Sequence, residues 1–140
     1  QDGRPGRAFV ILSDGECDEG SIWEAALFAP HHGLDNLVAI VDYNRIQSFG
    51  TVKEVLDLEP FADKWRAFRW HVQVVDGHDH AALAAAFAAV PAVAGSPSVI
   101  LANTVKGKGV SYMENNPVFH GKAPNKEQFE QAMRELGGAE

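Results

Sequence analysis

An aspartate, a glycine and an asparagine carry the first chemical signal in this chain. Asp14 follows one short apolar run, Asn44 lies two residues past a second, and the two are 44 − 14 = 30 positions apart. If those runs are neighbouring strands, two oxygen donors converge, one charged and one neutral. Such hard donors suit magnesium or calcium. Magnesium prefers six oxygens, takes only one or two carboxylates, and completes its shell with carbonyls, water and phosphate oxygens. Gly15 has no side chain, so its N–H can approach a phosphate closely, and a helix opening near Gly20 would point its positive end at the same region. Asp-Gly after a strand is also a common turn, and on these residues alone both readings stand. Farther along, His120 sits between Val118-Phe119 and Gly121. Histidine titrates near neutral pH and can donate to a phosphate or a substrate oxygen, although a loop histidine used for packing has similar surroundings.

Positioning these residues requires a frame, and four apolar runs supply it: Phe9 to Leu12, Leu37 to Val41, Val72 to Val75 and Val99 to Ala102. Continuous runs of this length bounded by polar turns predict parallel strands buried on both faces. Helical patterns alternate with them. Gly20 to Ala29 carries Ile22, Ala25, Ala26 and Ala29 at helical spacing, and Pro30 and Gly33 are expected to close it. Phe61, Trp65 and Phe68 fall on one helical face. Leu83, Phe87 and Val90 form the stripe of a helix that starts at Asp79 and stops at Pro91. Asn125 with Gln128 is a capping-box pattern, followed by a stripe of Phe129, Ala132, Met133 and Leu136 and ended by Gly137-Gly138. The alternation predicts a doubly wound α/β fold, a parallel sheet with helices on both faces. Ligands in such sheets bind beyond the carboxyl ends of the strands, which is where Asp14 and Asn44 fall.

Composition removes several function classes. The 140 residues suffice for one domain or part of one. A net charge of −7 leaves no basic stripe for nucleic acid. No apolar run approaches the roughly 18 to 20 residues that cross a bilayer, so no membrane role is expected. The single cysteine, Cys17, excludes an internal disulfide, suits a reducing, cytoplasmic compartment, and reads as packing. Gln1 to Arg7 contains neither an initiating Met nor a signal segment, as expected of a piece cut from a longer chain. His31-His32 are adjacent and cannot form an i, i+4 metal pair. Glu19 and Glu24 flank a helix start, where dipole stabilisation and a solvated face explain them.

The wider pattern is more specific. Ser13-Asp14-Gly15-Glu16-Cys17-Asp18-Glu19-Gly20-Ser21-Ile22-Trp23-Glu24-Ala25, followed by Asn36 to Ile46, closely resembles the thiamine diphosphate (ThDP) signature of transketolases: a Gly-Asp-Gly opening and a closing Asn about thirty residues on. The resemblance continues through Val75 to Asp79, Thr104 to Val110, and His120 to Pro124. The stretches Ile46 to Gly50 and Leu56 to Trp65 resemble the N-terminal subunit of split transketolases.

The resemblance implies that residues 1–140 are a single diphosphate-anchoring domain, its C-terminal portion, incomplete at the N-terminal side. It implies Asp14, the Asn44 side chain and the Ile46 carbonyl as ligands of Mg2+, with Ca2+ or Mn2+ as substitutes. Gly15, through its N–H, Glu16 and His120 are implied as cofactor contacts, and His120 as the catalytic group. Glu19 and Glu24 are implied as carboxylates near a dimer interface. Ser13 and Ser48 depart from the family, which favours glycine at the first and an aliphatic residue against the thiazolium ring at the second. The implied activity is transfer of a two-carbon ketol unit between sugar phosphates, in homo- or hetero-oligomers. A pyrimidine-binding domain on a companion chain or segment would complete the site, and the chain alone would be inactive. The alternatives are a 1-deoxy-xylulose-5-phosphate synthase-like enzyme and a non-catalytic assembly subunit. Lys106 and Lys108 could face a sugar phosphate or form a solvated turn.

Overall fold

The computed structural model describes residues 6–137; residues 1–5 and 138–140, including Gly138 and most of the Gln1 to Arg7 opening, lie outside that description. Each of the four apolar runs forms the body of a strand. These are β1 (Ala8–Ser13), β2 (Leu37–Tyr43), β5 (His71–Asp76) and β6 (Ser98–Asn103), joined in one parallel sheet of order β1-β2-β6-β5. Helix α1 (Gly20–His31) and helix α3 (Phe61–Ala67) cover one face, where Ala26, Ala29, Phe61 and Trp65 pack with Ala39, Val41, Val99 and Leu101. Helix α4 (His80–Ala88) covers the other, with Ala86 against Val38 and Ile100. Helices on both faces of a parallel sheet are the doubly wound arrangement that the alternation predicted.

Burial on both faces holds for the inner strands β2 and β6 and fails for the edge strand β1, where Phe9 is 48% and Ile11 75% exposed. The reason is positional. Phe9 leans on Phe87 edge-to-face with ring centroids 6.2 Å apart, and no described element covers Ile11. Val74 on the opposite edge strand is likewise exposed.

Helix α1 does not stop at Pro30 but runs to His31. Pro30 has no N–H to give the Ala26 carbonyl one turn back, a vacancy that normally ends a helix. The indole of Trp70 donates to that carbonyl at 2.9 Å, so the helix loses no bond there. Trp70 in turn meets Trp65 at 4.9 Å, and Trp65 meets Trp23 at 5.4 Å, so the indole that serves the helix is anchored in an aromatic cluster of the core. Within α4, Ala86 packs on the inner strands, Phe87 reaches the edge strand β1 through Phe9 and stays 37% exposed, and Val90 is buried just past the helix end. Helix α5 (Lys126–Glu135) has the expected capping box, with Asn125 accepting from the Gln128 N–H and Gln128 from the Asn125 N–H. Its expected buried stripe is a single residue, Ala132; Phe129, Met133 and Leu136 face outward.

Two elements carried no periodic signal because they are too short to show one. Strands β3 (Ile46–Gln47) and β4 (Gly50–Thr51) form a hairpin around Ser48-Phe49 and lead into helix α2 (Val52–Val55), capped reciprocally by Thr51 and Glu54. The hairpin matters because it carries Ile46 and Gln47 back toward Asp14.

Candidate functional site

Strand adjacency assembles the site. β1 pairs with β2 so that Ser13 stands opposite Asp42, and the chain just past each strand therefore meets the chain just past the other. Asp14 is 1% exposed, its N–H donates to the Asp42 carbonyl at 3.3 Å, and its Oδ2 accepts from the Arg45 N–H. Arg45 adopts a left-handed φ of 64°, which turns its N–H to Asp14 while its guanidinium stacks on the Tyr43 ring and donates to Asn103 Oδ1 at 2.8 Å. Asn44 Nδ2 donates to Asp42 Oδ2 at 3.2 Å, and Asn44 Oδ1 accepts from the Ile46 N–H at 2.9 Å. Asp42 also accepts from the Thr104 hydroxyl, so a carboxylate two residues upstream fixes the orientation of the Asn44 amide.

Ser13 and Glu16 cap the turn between β1 and α1. The Ser13 N–H donates to Glu16 Oε2 at 2.6 Å and the Glu16 N–H to Ser13 Oγ at 3.1 Å, a reciprocal arrangement that glycine at position 13 could not make. The 3₁₀ turn Gly15–Asp18 that follows buries Cys17 completely. Burial, with Asp14 and other carboxylates nearby, pushes the Cys17 thiol up to about 12, so it stays protonated and packs as expected.

A cavity of about 340 Å³ lies at this edge of the sheet, lined by Asp14, Gly15, Glu16, Asn44, Ile46 and His120 among others. Six of the residues singled out from the sequence therefore share one space. Glu19 and Lys106 line it too, but Glu24 does not; it lies exposed on α1. His120 ends a 3₁₀ turn, Pro117–His120, whose cap is Asn116. Lys108 faces an adjoining cavity instead and lies 3.8 Å from Glu114.

The donors present fit a divalent cation. Among the described residues Asp14 Oδ1 is buried without a hydrogen-bond partner. Burial drives the Asp14 carboxyl above the usual carboxylate range; the Arg45 and Gly15 N–H groups oppose the rise, and Asp42 and Asp18 add to it. A charge so placed lacks compensation, and a cation held between it and the neutral oxygens of Asn44 and Ile46 would provide it. Among the described residues no three His, Cys, Asp or Glu side chains cluster as a metal cage, and this donor set, part amide and part carbonyl, is of a different kind. At Gly15 an added Cβ would stand 3.1 Å from Gln47 Cβ, so the turn is already closed on that side.

Several participants left no local trace in the sequence. Gln47 Nε2 donates to Asp18 Oδ2 at 2.8 Å across the cavity wall. His78 Nε2 accepts from the Val105 N–H at 2.7 Å and holds the loop after β6. Phe49 lines the cavity and is 88% exposed. Only Asp42, two residues before Asn44, offered a spacing that could have been read.

Comparison with known proteins fits this geometry. A family model described as the transketolase, thiamine diphosphate binding domain matches residues 5–140. A 6-deoxy-6-sulfo-D-fructose transketolase subunit of Clostridium sp. (strain MSTE9) is 46% identical over 132 residues, 94% of this chain and 48% of that protein. One of the apulose-4-phosphate transketolase subunits of Phocaeicola vulgatus is 42% identical over 130 residues, 93% of this chain and 46% of that protein. The crystal structure of transketolase from Campylobacter jejuni superposes with a TM-score of 0.88 at 27% identity, over 96% of this chain and 21% of that one. The chain thus spans about half the length of the two subunits and about a fifth of the solved enzyme. Sequence and fold agree along nearly its whole length, and the chain belongs to the transketolase family, within its thiamine diphosphate binding domain.

Proposed function

We propose that this chain anchors the diphosphate of ThDP through Mg2+, as one part of an enzyme that transfers a two-carbon ketol unit between sugar phosphates. The observation that carries the reading is the cavity lined together by Asp14, whose Oδ1 is buried and unsatisfied, and by Asn44, Ile46, Gly15 and His120. Asp14, Asn44 Oδ1 and the Ile46 carbonyl would hold the metal, and the Gly15 N–H and Glu16 would contact the diphosphate. Ca2+ or Mn2+ could replace Mg2+ in an all-oxygen site of this kind. Bound ThDP supplies an acidic thiazolium carbon able to attack a ketose carbonyl. His120, which lines the same cavity, would donate a hydrogen bond to the diphosphate or to a substrate oxygen there and serve as the site's acid-base group. Phe49, beside Ser48, offers the apolar surface that Ser48 lacks.

The remaining parts come from elsewhere. Relatives described as transketolase subunits support a companion chain, which would bring the pyrimidine-binding domain. Glu19, which lines the cavity, and Glu24 on α1 are both exposed, and in this reading they would meet that companion or a second copy. No helix among the described residues is long and apolar enough to cross a membrane, which is compatible with work on sugar phosphates in the cytoplasm. The test is calorimetric titration of ThDP into the assembled enzyme with Mg2+ and with chelator, followed by a ketol-transfer assay. Metal-dependent binding with transfer supports the reading. Binding without transfer, or pyruvate decarboxylation instead, would refute the stated reaction.

A further inference from the structure

Two walls enclose the cavity, and they come from distant parts of the chain. One is the turn after β1, whose Asp14, Gly15 and Glu16 line the cavity while Asp18, in the same turn, lies outside the lining; the other is the Asn44 to Gln47 arm after β2. Besides the strand pairing, the Arg45 N–H to Asp14 link joins them, and it ends on a carboxylate that the proposed metal would draw upon. A second link lies farther out: Gln47 Nε2 donates to Asp18 Oδ2 at 2.8 Å. The Gln47 stem packs on the backbone of Gly15, where an added Cβ would come within 3.1 Å of Gln47 Cβ. Among the described residues Asp18 Oδ1 is buried with no hydrogen-bond partner, so the bond from Gln47 to Oδ2 is the side-chain contact there that compensates this carboxylate. Breaking it leaves a poorly solvated charge in the turn that carries Gly15, and water entry or separation of the turn from the Gln47 arm would relieve it.

We propose that Gln47 and Asp18 form a latch that sets the width of the diphosphate cleft, holding the Gly15 N–H and the Ile46 carbonyl at the spacing the metal-bound diphosphate requires. The inference rests on the functional reading above. Both are positioning residues: they act on the ligand through the two walls. The bond runs between a neutral donor and a carboxylate, a class strong enough that its loss should weaken ThDP binding about tenfold.

The experiment measures ThDP affinity of the assembled enzyme by calorimetry at saturating Mg2+, with kcat at saturating ThDP. The variants are Gln47→Ala, Asp18→Ala, the two combined, and the exchange Gln47→Glu with Asp18→Asn, which reverses donor and acceptor across the same gap. The expected result is a dissociation constant about tenfold higher in each single variant, no further rise in the double, recovery to within about threefold in the exchange, and kcat changed less than about twofold. The exchange guards against a merely misfolded variant, since a packing defect would not be repaired by reversing a hydrogen bond. Single-variant affinities within twofold of the parent, additive losses in the double, or no recovery in the exchange would overturn the latch. A parent enzyme that binds no ThDP would overturn the functional reading first, and the latch with it.

Discussion

Asp14→Asn isolates the charge at the centre of the site. The side chain keeps its shape, and its amide oxygen can still accept from the Arg45 N–H, but the buried negative charge is gone. In the ligand-free enzyme the change should be tolerated or stabilising. The folded-state carboxyl of Asp14 is raised by burial, so the unfolded chain gives up this proton at lower pH than the folded one. The unfolded state then binds fewer protons, and stability falls as pH rises from the ordinary carboxylate range through the raised value; Asp14→Asn should remove that slope. With ligand the order reverses. Loss of one charge-assisted contact costs about 1.5–3 kcal/mol, a dissociation constant raised about 10- to 150-fold, and the upper part of that range, about 100-fold, is expected for a buried metal ligand. At a ThDP concentration of 100 times the parent constant with Mg2+ in excess, ligand stabilises the parent by about 2.7 kcal/mol and the variant by about 0.4 kcal/mol. Denaturant unfolding of the assembled enzyme with and without both ligands reads this difference. Equal ligand-induced stabilisation in parent and variant would refute the reasoning, because Asp14 would then hold nothing that the ligand needs.

Three further outcomes follow from other parts of the structure. His120→Ala should lower kcat by about 100-fold or more with ThDP affinity changed only a few-fold, read by steady-state kinetics and calorimetry on the assembled enzyme; kcat within a few-fold of the parent would make His120 a packing residue. Gly15→Ala places a methyl group 3.1 Å from Gln47 Cβ at the proposed phosphate contact, and should weaken ThDP binding while leaving the secondary structure intact by circular dichroism. Trp65→Ala, at 1% exposure within the aromatic cluster, should destabilise by about 3–5 kcal/mol in denaturant unfolding without a specific loss of ThDP affinity in the molecules that remain folded.

The frame and the site differed in how far they could be read before the structure was known. Val38 to Val41 and Val99 to Ala102 announced themselves because a strand buried on two faces must be apolar without interruption. Phe9 to Leu12 has the same composition yet lies at an edge, since a run of apolar residues records what can be buried and not what covers it. Pro30 was read as a stop because the Trp70 indole that serves the Ala26 carbonyl comes from 44 residues away. The same distinction runs through the site. Asp14, Asn44 and His120 were singled out by residue type and family resemblance, and the fold brings all three to the lining of one cavity. The Gln47 to Asp18 bond, the Asp42 to Thr104 bond and the His78 contact were not, because each joins residues 27 to 62 positions apart with no shared periodicity.

Locating the metal tests the central claim most directly. Crystals of the assembled enzyme grown with ThDP and with Mn2+ in place of Mg2+ would give an anomalous signal at the metal. That peak should lie within about 2.0–2.3 Å of an Asp14 carboxylate oxygen, Asn44 Oδ1 and the Ile46 carbonyl, the range expected for a six-oxygen shell, with the diphosphate on its open side. A manganese peak elsewhere, or ThDP bound with its diphosphate away from Asp14 and Gly15, would contradict it.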